Sequence, residues 1–124
     1  MPNQKTVLLV EDDAVLKEMY LARFASEGFK TIEVGSGEEA KEKIEADKID
    51  LVLLDIMLPG QLSGLDVLSW LRGREETKDL PVLLLSALAT DEDKMRGHEM
   101  GANGYLSKSE LTPEQVVEKI HQFV

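Results

Sequence analysis

The stretch Thr6-Val7-Leu8-Leu9-Val10-Glu11-Asp12-Asp13 decides the fold, because a short apolar run ends there in three consecutive acids. Residues 49–54 repeat the arrangement and are followed by Asp55, and residues 81–85 form a third apolar run. Runs that are apolar nearly throughout predict strands covered on both faces, as in parallel sheets. Weaker strands are predicted at Lys30–Val34, where the residues alternate as in an edge strand, and at Gly104–Ser107.

Amphipathic stretches with recognisable N-terminal caps separate the predicted strands. Asp13 is expected to cap a helix that runs to about residue 27 and stops at Gly28. Residues 65–72 supply a further helix. The remaining three begin at capping-box patterns, namely Ser36 with Glu39, Thr112 with Gln115 and, more loosely, Thr90 with Asp93. The expected apolar faces comprise Val15, Leu16, Met19, Tyr20 and Phe24 in the first helix and Val116, Val117, Ile120 and Phe123 in the last.

Five strands that alternate with five helices predict an α/β domain with a doubly wound parallel sheet. Its crossovers are expected to be right-handed, with helices on both faces of the sheet. In such folds the ligand crevice lies at the carboxyl ends of the strands, near the point where the strand order reverses. Glu11, Asp12 and Asp55 all fall at that edge.

Acids at the ends of buried strands predict a metal site. Like charges brought together cost free energy and raise one another's pKa values unless a cation lies between them. Mg2+ suits this setting because it takes one or two carboxylates, keeps several waters and typically shares a phosphate oxygen with the protein. The sequence therefore predicts Mg2+ as the cofactor and phosphoryl chemistry as the reaction.

Length, composition and charge exclude several classes of protein. The 124 residues are expected to form one domain, residues 1–124, with the composition of an ordinary soluble protein. A formal net charge of −10 argues against direct binding of nucleic acid. Cysteine is absent, which excludes disulfides and thiolate metal sites. No apolar run has the length of a membrane helix or the form of a signal peptide, so a cytoplasmic location without membrane attachment is expected.

Three further polar side chains are expected at the same edge of the sheet. Ser86 follows the fourth predicted strand, Tyr105 lies within the fifth, and Lys108 comes just beyond the fifth. A hydroxyl, a metal ion and an ammonium group form a suitable cradle for a phosphoryl group carried on a carboxylate. A serine at a strand end is more often a turn residue, and a lysine there is more often solvated. The combination on one edge favours the functional interpretation.

These residues closely resemble the receiver domain of bacterial two-component response regulators, over essentially the whole chain. The resemblance rests on residues 9–13 (LVEDD), 55–60 (DIMLPG), 86–87 (SA) and 101–108 (GANGYLSK). It implies a flavodoxin-like fold with strand order 2-1-3-4-5. It also implies a phosphorylation-dependent switch that receives its phosphoryl group from a histidine kinase or a histidine phosphotransfer protein. Such a domain catalyses its own phosphorylation and dephosphorylation but acts mainly as a regulated binding module.

The resemblance also assigns roles to residues. It implies that Asp55 is the phosphoacceptor, and that Asp12 and Asp55 bind Mg2+ directly while Glu11 acts through water. The backbone carbonyl of Met57 would complete the protein ligands, and Asp13 would cap the following helix. Ser86 would bind a phosphoryl oxygen, Lys108 would pair with Asp55 or its phosphoryl group, and Tyr105 would change rotamer with Ser86. A downstream effector protein or output domain is then expected on the face formed by the fourth helix, fifth strand and fifth helix.

Two departures from the family pattern concern the surroundings of the site. The family usually has a glycine eight residues after the phosphoacceptor, whereas the loop Gly60-Gln61-Leu62-Ser63-Gly64 is one residue longer. This loop is expected to be reshaped, with consequences for metal access and the rate of dephosphorylation. Lys108 is followed by Ser109 rather than the usual proline, which reduces the expectation of a cis peptide bond there.

Other functions fit the sequence less well. A pseudo-receiver that binds partners without accepting phosphate would be favoured by loss of Asp55 or Lys108, and both are present. A dinucleotide-binding enzyme would need a glycine-rich turn after the first strand, where this chain has acids. A phosphatase acting through aspartate would need a second catalytic acid shortly after Asp55, but residues 56–58 are Ile, Met and Leu.

Several other side chains with distinctive chemistry lie in the predicted helices. His98 and His121 are away from the strand ends and are not expected to bind metal. Trp70 is expected to pack rather than to bind a ligand. For Met95 and Met100, packing in the core is favoured over a partner-binding surface.

Overall fold

The computed structural model describes residues 4–87 and 90–124, in which five strands alternate with five helices. The strands are β1 (Thr6–Val10), β2 (Lys30–Val34), β3 (Leu51–Asp55), β4 (Val82–Ser86) and β5 (Gly104–Ser107). The helices are α1 (Ala14–Ser26), α2 (Gly37–Ala46), α3 (Gly64–Arg72), α4 (Asp91–Glu99) and α5 (Pro113–His121). None of the described helices is both long enough and apolar enough to span a bilayer.

All neighbouring strands are parallel, in the order β2-β1-β3-β4-β5. This arrangement confirms the doubly wound, flavodoxin-like fold. The order reverses between β1 and β3, which makes the carboxyl ends of these two strands the switch point. Glu11 directly follows β1 and Asp55 is the last residue of β3, so both acids lie at that point.

Two apolar cores cover the two faces of the sheet, because successive side chains of a strand point in opposite directions. On one face, the odd-numbered residues of β1 pack with α1 and α5, whereas on the other the even-numbered residues pack with α2 and α3. The first core includes Val7, Leu9, Leu53, Leu85, Tyr20, Phe24, Val116 and Ile120. The second includes Leu8, Val10, Leu54, Leu84, Ala40, Ile44, Val67 and Leu68. The central strands are therefore buried on both faces, as their sequences predict.

The helix boundaries confirm most of the predicted caps. The Asp13 carboxylate accepts a hydrogen bond of 3.0 Å from the backbone N–H of Leu16 at the start of α1. After α1, Gly28 adopts a positive φ of 86°, a conformation that favours glycine and ends the helix. Thr112 and Gln115 form a complete capping box at the start of α5.

Two helix starts differ from the sequence prediction. The Ser36 hydroxyl accepts from the Glu39 N–H, but it also donates to the Glu39 carboxylate, so α2 has a serine cap rather than a complete capping box. A complete box occurs instead at α3, where Ser63 and Asp66 bond each other's backbone N–H groups.

Several residues predicted to lie on the apolar faces of their helices are exposed. Val15 is 69% exposed, Met19 49% and Phe123 37%. The expectation of core packing is also wrong for Met95, which is 64% exposed, whereas Met100 does pack against the second core. Helical spacing shows which residues share a face, but the width of the buried stripe depends on how closely the helix approaches its neighbours.

Candidate functional site

The register of the sheet brings the predicted site residues to one edge. Val10 of β1 lies opposite Leu54 of β3, which places Glu11 and Asp55 on neighbouring strand ends. Ser86 pairs with Ser107 at the ends of β4 and β5, and Lys108 comes directly after. Parallel strands end at the same side of a sheet, so residues from four strands meet there.

Lys108 joins the two buried acids. Its Nζ lies 2.6 Å from Glu11 Oε1 and 2.6 Å from Asp55 Oδ2. The Glu11 side chain is fully buried and that of Asp55 is 4% exposed, while the Lys108 side chain keeps 18% exposure. One ammonium group therefore neutralises part of the charge of two acids that water barely reaches.

The second oxygen of each buried acid is held by the backbone. Glu11 Oε2 accepts hydrogen bonds from the N–H groups of Asp12, at 3.0 Å, and Asp13, at 3.2 Å. Asp55 Oδ1 accepts one of 3.0 Å from the Met57 N–H. The two carboxylates are thereby oriented by the turns that follow their own strands.

The pKa values of this cluster reflect burial and mutual interaction. Burial raises the pKa of Glu11, and the neighbouring Asp55 adds to the increase, while Lys108 and the backbone N–H of Asp13 partly offset it. Burial lowers the pKa of Lys108, but its bonds to Asp55 and Glu11 outweigh burial, and the net shift is upward. Lys108 is therefore held in its charged form, whereas the charged form of Glu11 is disfavoured.

The arrangement fits a hard divalent cation. One carboxylate oxygen from each of Glu11, Asp12 and Asp55 lies within 4.8 Å of the other two. Within the part of the chain that the structure describes, Glu11 Oε1 accepts no hydrogen bond of good geometry, although it is buried and contacts Lys108. Asp12 is the exposed member of the cluster. One exposed acid beside two buried ones suits Mg2+, which takes one or two carboxylates directly and keeps several waters.

Ser86 and Tyr105 line one small cavity beside the acids. Its volume is about 210 Å3, and Met57 and Gly97 also contribute to its wall. Ser86 is buried, Tyr105 is half-buried, and a β-carbon added at Gly97 would lie 3.1 Å from the Tyr105 ring. The predicted switch pair therefore shares a cavity bounded on one side by α4.

The loop after β3 is closed at its base beside the phosphoacceptor candidate. Gly64 N–H donates to the Ile56 carbonyl at 2.8 Å, which closes the loop at its base. A β-carbon at Gly64 would overlap the carbonyl oxygen of Asp55 and come within 2.7 Å of Ile56 Cα. Glycine is required here by this close approach, which places Gly64 directly beside Asp55.

Residues that the sequence placed outside the site also lie apart from the acidic cluster in the structure. His98 and His121 lie on α4 and α5, and both are exposed. Asp13 caps α1 and is not among the clustered acids. The described residues contain no cis peptide bond, and this range includes the Lys108–Ser109 peptide. Sequence reasoning did not identify Glu38, whose carboxylate accepts a hydrogen bond from the loop at Leu62 N–H.

A doubly wound domain with an acidic cluster, a paired lysine and a strand-end serine at its switch point has the architecture of a phosphoryl-accepting signalling module. The family profile described as "Response regulator receiver domain" matches residues 7–121, and this chain belongs to that family. Receiver domains of response regulators act in phosphorylation-dependent two-component signalling, and they generally bind Mg2+ in an acidic pocket.

Individual relatives agree with this assignment. Over 116 residues the chain is 35% identical to the phosphate regulon transcriptional regulatory protein PhoB of Escherichia coli (strain K12), covering 94% of this chain and 50% of that protein. It is 33% identical over 120 residues to the polar-differentiation response regulator DivK of Brucella ovis, covering 97% of this chain and 96% of that protein. The chain thus spans about half the length of the PhoB relatives it matches.

A solved structure gives the same result. The BeF3-activated N-terminal receiver domain of Klebsiella pneumoniae RstA superposes with a TM-score of 0.87 at 31% identity. The match covers 96% of this chain and 97% of that one. The likeness therefore extends over nearly the whole of both chains.

Proposed function

We propose that residues 1–124 form one receiver domain in which Asp55 accepts a phosphoryl group from a histidine kinase or histidine phosphotransfer protein. A carboxylate oxygen of Asp55 would attack phosphorus as the bond from phosphorus to the donor's imidazole nitrogen breaks, and the imidazole would leave. The observation that carries the proposal is the position of Asp55, at the switch point with one oxygen on the Met57 N–H and the other on Lys108. This geometry holds the nucleophile in a fixed orientation.

The residues proposed to hold Mg2+ are Asp12 and Asp55 directly, Glu11 through water, and Met57 through its backbone carbonyl. The clustering of the three acids supports this set, and so does the buried Glu11 oxygen that lacks a good hydrogen bond. When bound, Mg2+ would neutralise charge on the phosphoryl oxygens and favour an in-line arrangement of donor and acceptor. Lys108 would keep its ammonium group beside the transferred phosphoryl group.

The proposed response to phosphorylation begins at Ser86 and Tyr105. A phosphoryl group adds negative charge and strong acceptor oxygens, to which the Ser86 hydroxyl can donate. A shift of Ser86 would change the cavity that it shares with Tyr105 and α4. Within residues 91–99, all of which the structure describes, Gly97 is the one buried residue. A helix that buries so little apolar surface is easily displaced.

We place the effector site on the face formed by α4, β5 and α5. Met95 on α4 is exposed and offers apolar surface on that helix. The partner would be a downstream protein or an output domain, and the net charge of −10 makes direct contact with nucleic acid unfavourable. PhoB is described as a transcriptional regulatory protein of twice this length, which fits an output domain that carries the DNA-binding role. We expect the domain to act in the cytoplasm, as response regulators typically do.

The experiment that tests this function is intact-mass spectrometry after incubation with a small phosphodonor and Mg2+. We expect a phosphoryl adduct in the wild type that requires Mg2+, disappears with a chelator and is absent from Asp55→Asn. Asp47→Asn is a matched control, because Asp47 is exposed at the end of α2. BeF3−, the activator named for the RstA domain, provides a second probe of the same carboxylate. Absence of an adduct together with absence of Mg2+ binding would favour the pseudo-receiver instead.

A further inference from the structure

We propose that Glu38 is a positioning residue that fixes the Met57 carbonyl for Mg2+ binding, by tying down the loop between β3 and α3. Glu38 lies in the first turn of α2, outside the acidic cluster. The inference rests on the proposed function, because it concerns the metal site described there. The loop in question, residues 57–63, contains the segment that is one residue longer than the family pattern.

The base of this loop is closed at the site itself. Residues 57–63 leave the sheet after Ile56 and return where the Gly64 N–H donates to the Ile56 carbonyl at 2.8 Å. The Met57 N–H donates to Asp55 Oδ1 at 3.0 Å. The Met57 carbonyl belongs to the following peptide group, between Met57 and Leu58, which lies inside the loop. The orientation of the Met57 carbonyl therefore depends on the path that the excursion takes.

The tip of the loop is held by Glu38. The Leu62 N–H donates to Glu38 Oε1 at 3.0 Å, which links the loop to a residue 24 positions earlier in the chain. Gly60 lies against the same carboxylate, and a β-carbon added there would come within 2.7 Å of Glu38 Oε2. Because Gly60 also has a φ of +90°, this approach is available to glycine and strained for other residues.

The first turn of α2 is shaped to receive the loop. A β-carbon added at Gly37 would lie 2.8 Å from Leu62 Cβ and 2.9 Å from the Val67 side chain. The absence of a side chain at Gly37 thus lets the loop backbone come close enough to bond Glu38. A closed loop pinned at both base and tip has far fewer accessible conformations than one closed at the base alone.

Removal of the carboxylate at position 38 should act on the metal site more than on the fold. Glu38 is exposed, and an exposed hydrogen bond contributes little to global stability. Its loss would free the tip of the loop and let the Met57 carbonyl sample orientations that do not bind metal. Groups that orient metal ligands typically change metal affinity by about tenfold or more when removed, and a residue acting through a loop should lie near or below that value.

The test compares Glu38→Ala, Glu38→Gln and the control Glu42→Ala, which removes an exposed acid from the same helix. The first measurement is amide hydrogen exchange at Leu62, and the second is the Mg2+ dissociation constant by titration calorimetry. We expect Glu38→Ala to exchange faster at Leu62 and to bind Mg2+ about three- to tenfold more weakly. Glu38→Gln keeps an oxygen acceptor and should stay near the wild type, as should Glu42→Ala.

The outcomes separate this inference from the function on which it rests. Unchanged Leu62 exchange in Glu38→Ala, or unchanged Mg2+ affinity despite faster exchange, would overturn the positioning role while leaving the receiver function intact. Equal weakening in Glu38→Gln, Glu38→Ala and Glu42→Ala would also overturn it, because the cause would then be net charge. Failure of the wild type to bind Mg2+ at all would overturn both. Urea unfolding of each variant shows whether the fold is preserved.

Discussion

Replacing Lys108 by methionine should destabilise the metal-free protein strongly at alkaline pH and weakly at acidic pH. The substitution removes an ammonium group that lies 2.6 Å from both Glu11 Oε1 and Asp55 Oδ2. It keeps an unbranched apolar side chain of similar length, so packing changes little. What remains is a pair of nearly inaccessible carboxylates with no cation between them. Breaking a buried ion pair by removing one partner typically costs about 3–5 kcal/mol.

Protonation sets an upper limit on this cost. Instead of keeping both charges, the variant can take up a proton on Glu11, whose pKa is already raised from its ordinary 4.5 by burial, with Asp55 adding to the increase. Protonating such a group at about pH 8, roughly 3.5 units above 4.5, costs about 5 kcal/mol, because each unit corresponds to about 1.4 kcal/mol. At about pH 6 the same limit falls to about 2 kcal/mol.

The sign of the pH dependence follows from the direction of the shift. In the variant, the pKa of Glu11 in the folded state lies above its unfolded value, so the folded state binds more protons wherever the two differ. Stability is then greatest below about pH 4.5 and declines as pH rises through the folded-state pKa. The difference between the variant and the wild type should accordingly widen from about 2 kcal/mol near pH 6 to about 3–5 kcal/mol near pH 8.

The assay is urea unfolding in the presence of a chelator, followed by Trp70 fluorescence and far-ultraviolet circular dichroism. Lys119→Met serves as control, because Lys119 is an exposed lysine on α5. Adding Mg2+ should then stabilise the Lys108 variant more than the wild type, since the metal no longer meets a repelling ammonium group. A variant within about 1 kcal/mol of the wild type near pH 8, or a loss that is equal at both pH values, would refute the reasoning, because a buried pair should cost more than that.

Two further substitutions test how the fold supports the site. Gly64→Ala should lower stability by about 1–3 kcal/mol, as is typical of overpacking, and abolish phosphorylation, because its β-carbon would overlap the Asp55 carbonyl. Thermal unfolding measures the loss of stability and intact-mass spectrometry the loss of phosphorylation. A normal phosphoryl adduct in Gly64→Ala would contradict the prediction. Arg72→Met removes three side-chain hydrogen bonds that tie α3 to the segments before β4 and β5. This loss should lower the free energy of unfolding in urea by about 2–3 kcal/mol. Arg72→Lys should not restore the stability, because an ammonium group cannot form the same fork of hydrogen bonds. Full stability in Arg72→Lys would show that the three hydrogen bonds are not the cause.

The sequence predicted the sheet well because its strands are short, apolar and bounded by clear turn or cap residues. The bounds of β1, β2 and β5 agree with the prediction. The third strand begins later than predicted, at Leu51, because Asp50 uses its side chain to accept a hydrogen bond of 2.8 Å from the Thr6 N–H. The fourth begins and ends one residue later than predicted, at Val82–Ser86, so that Ser86 is held within the strand.

The order of the strands was a different kind of prediction. Periodicity indicated parallel strands and a weak edge strand at β2, but the order 2-1-3-4-5 came from the family resemblance. A pattern along one strand reports how many of its faces are covered, and it carries no information on which strand lies beside it. The observed edges, β2 and β5, are the two strands with the weakest apolar runs.

The site was predictable to the extent that it depends on strand ends. Glu11, Asp55 and Lys108 could be placed together because parallel strands share an edge, and the structure joins all three. Glu38 could not be found in this way, because its hydrogen bond to Leu62 depends on the path of an irregular loop. The Ser63–Asp66 capping box was visible as a serine followed three residues later by an acid, and it would have identified the start of α3.

The formal charges of the site bear on the proposed role of Lys108, which would serve two acids before phosphorylation and a phosphoryl group afterwards. Glu11, Asp12 and Asp55 set against Lys108 give three negative charges and one positive, a formal sum of −2. A divalent cation would bring that sum to zero. The proposed phosphorylation of Asp55 would replace one carboxylate charge by a group of about −1.5 to −2, which would make the site negative again by up to about one charge. Donors would then be needed beside the new group, and the Lys108 ammonium, relieved of Asp55, and the Ser86 hydroxyl both lie at this edge of the sheet.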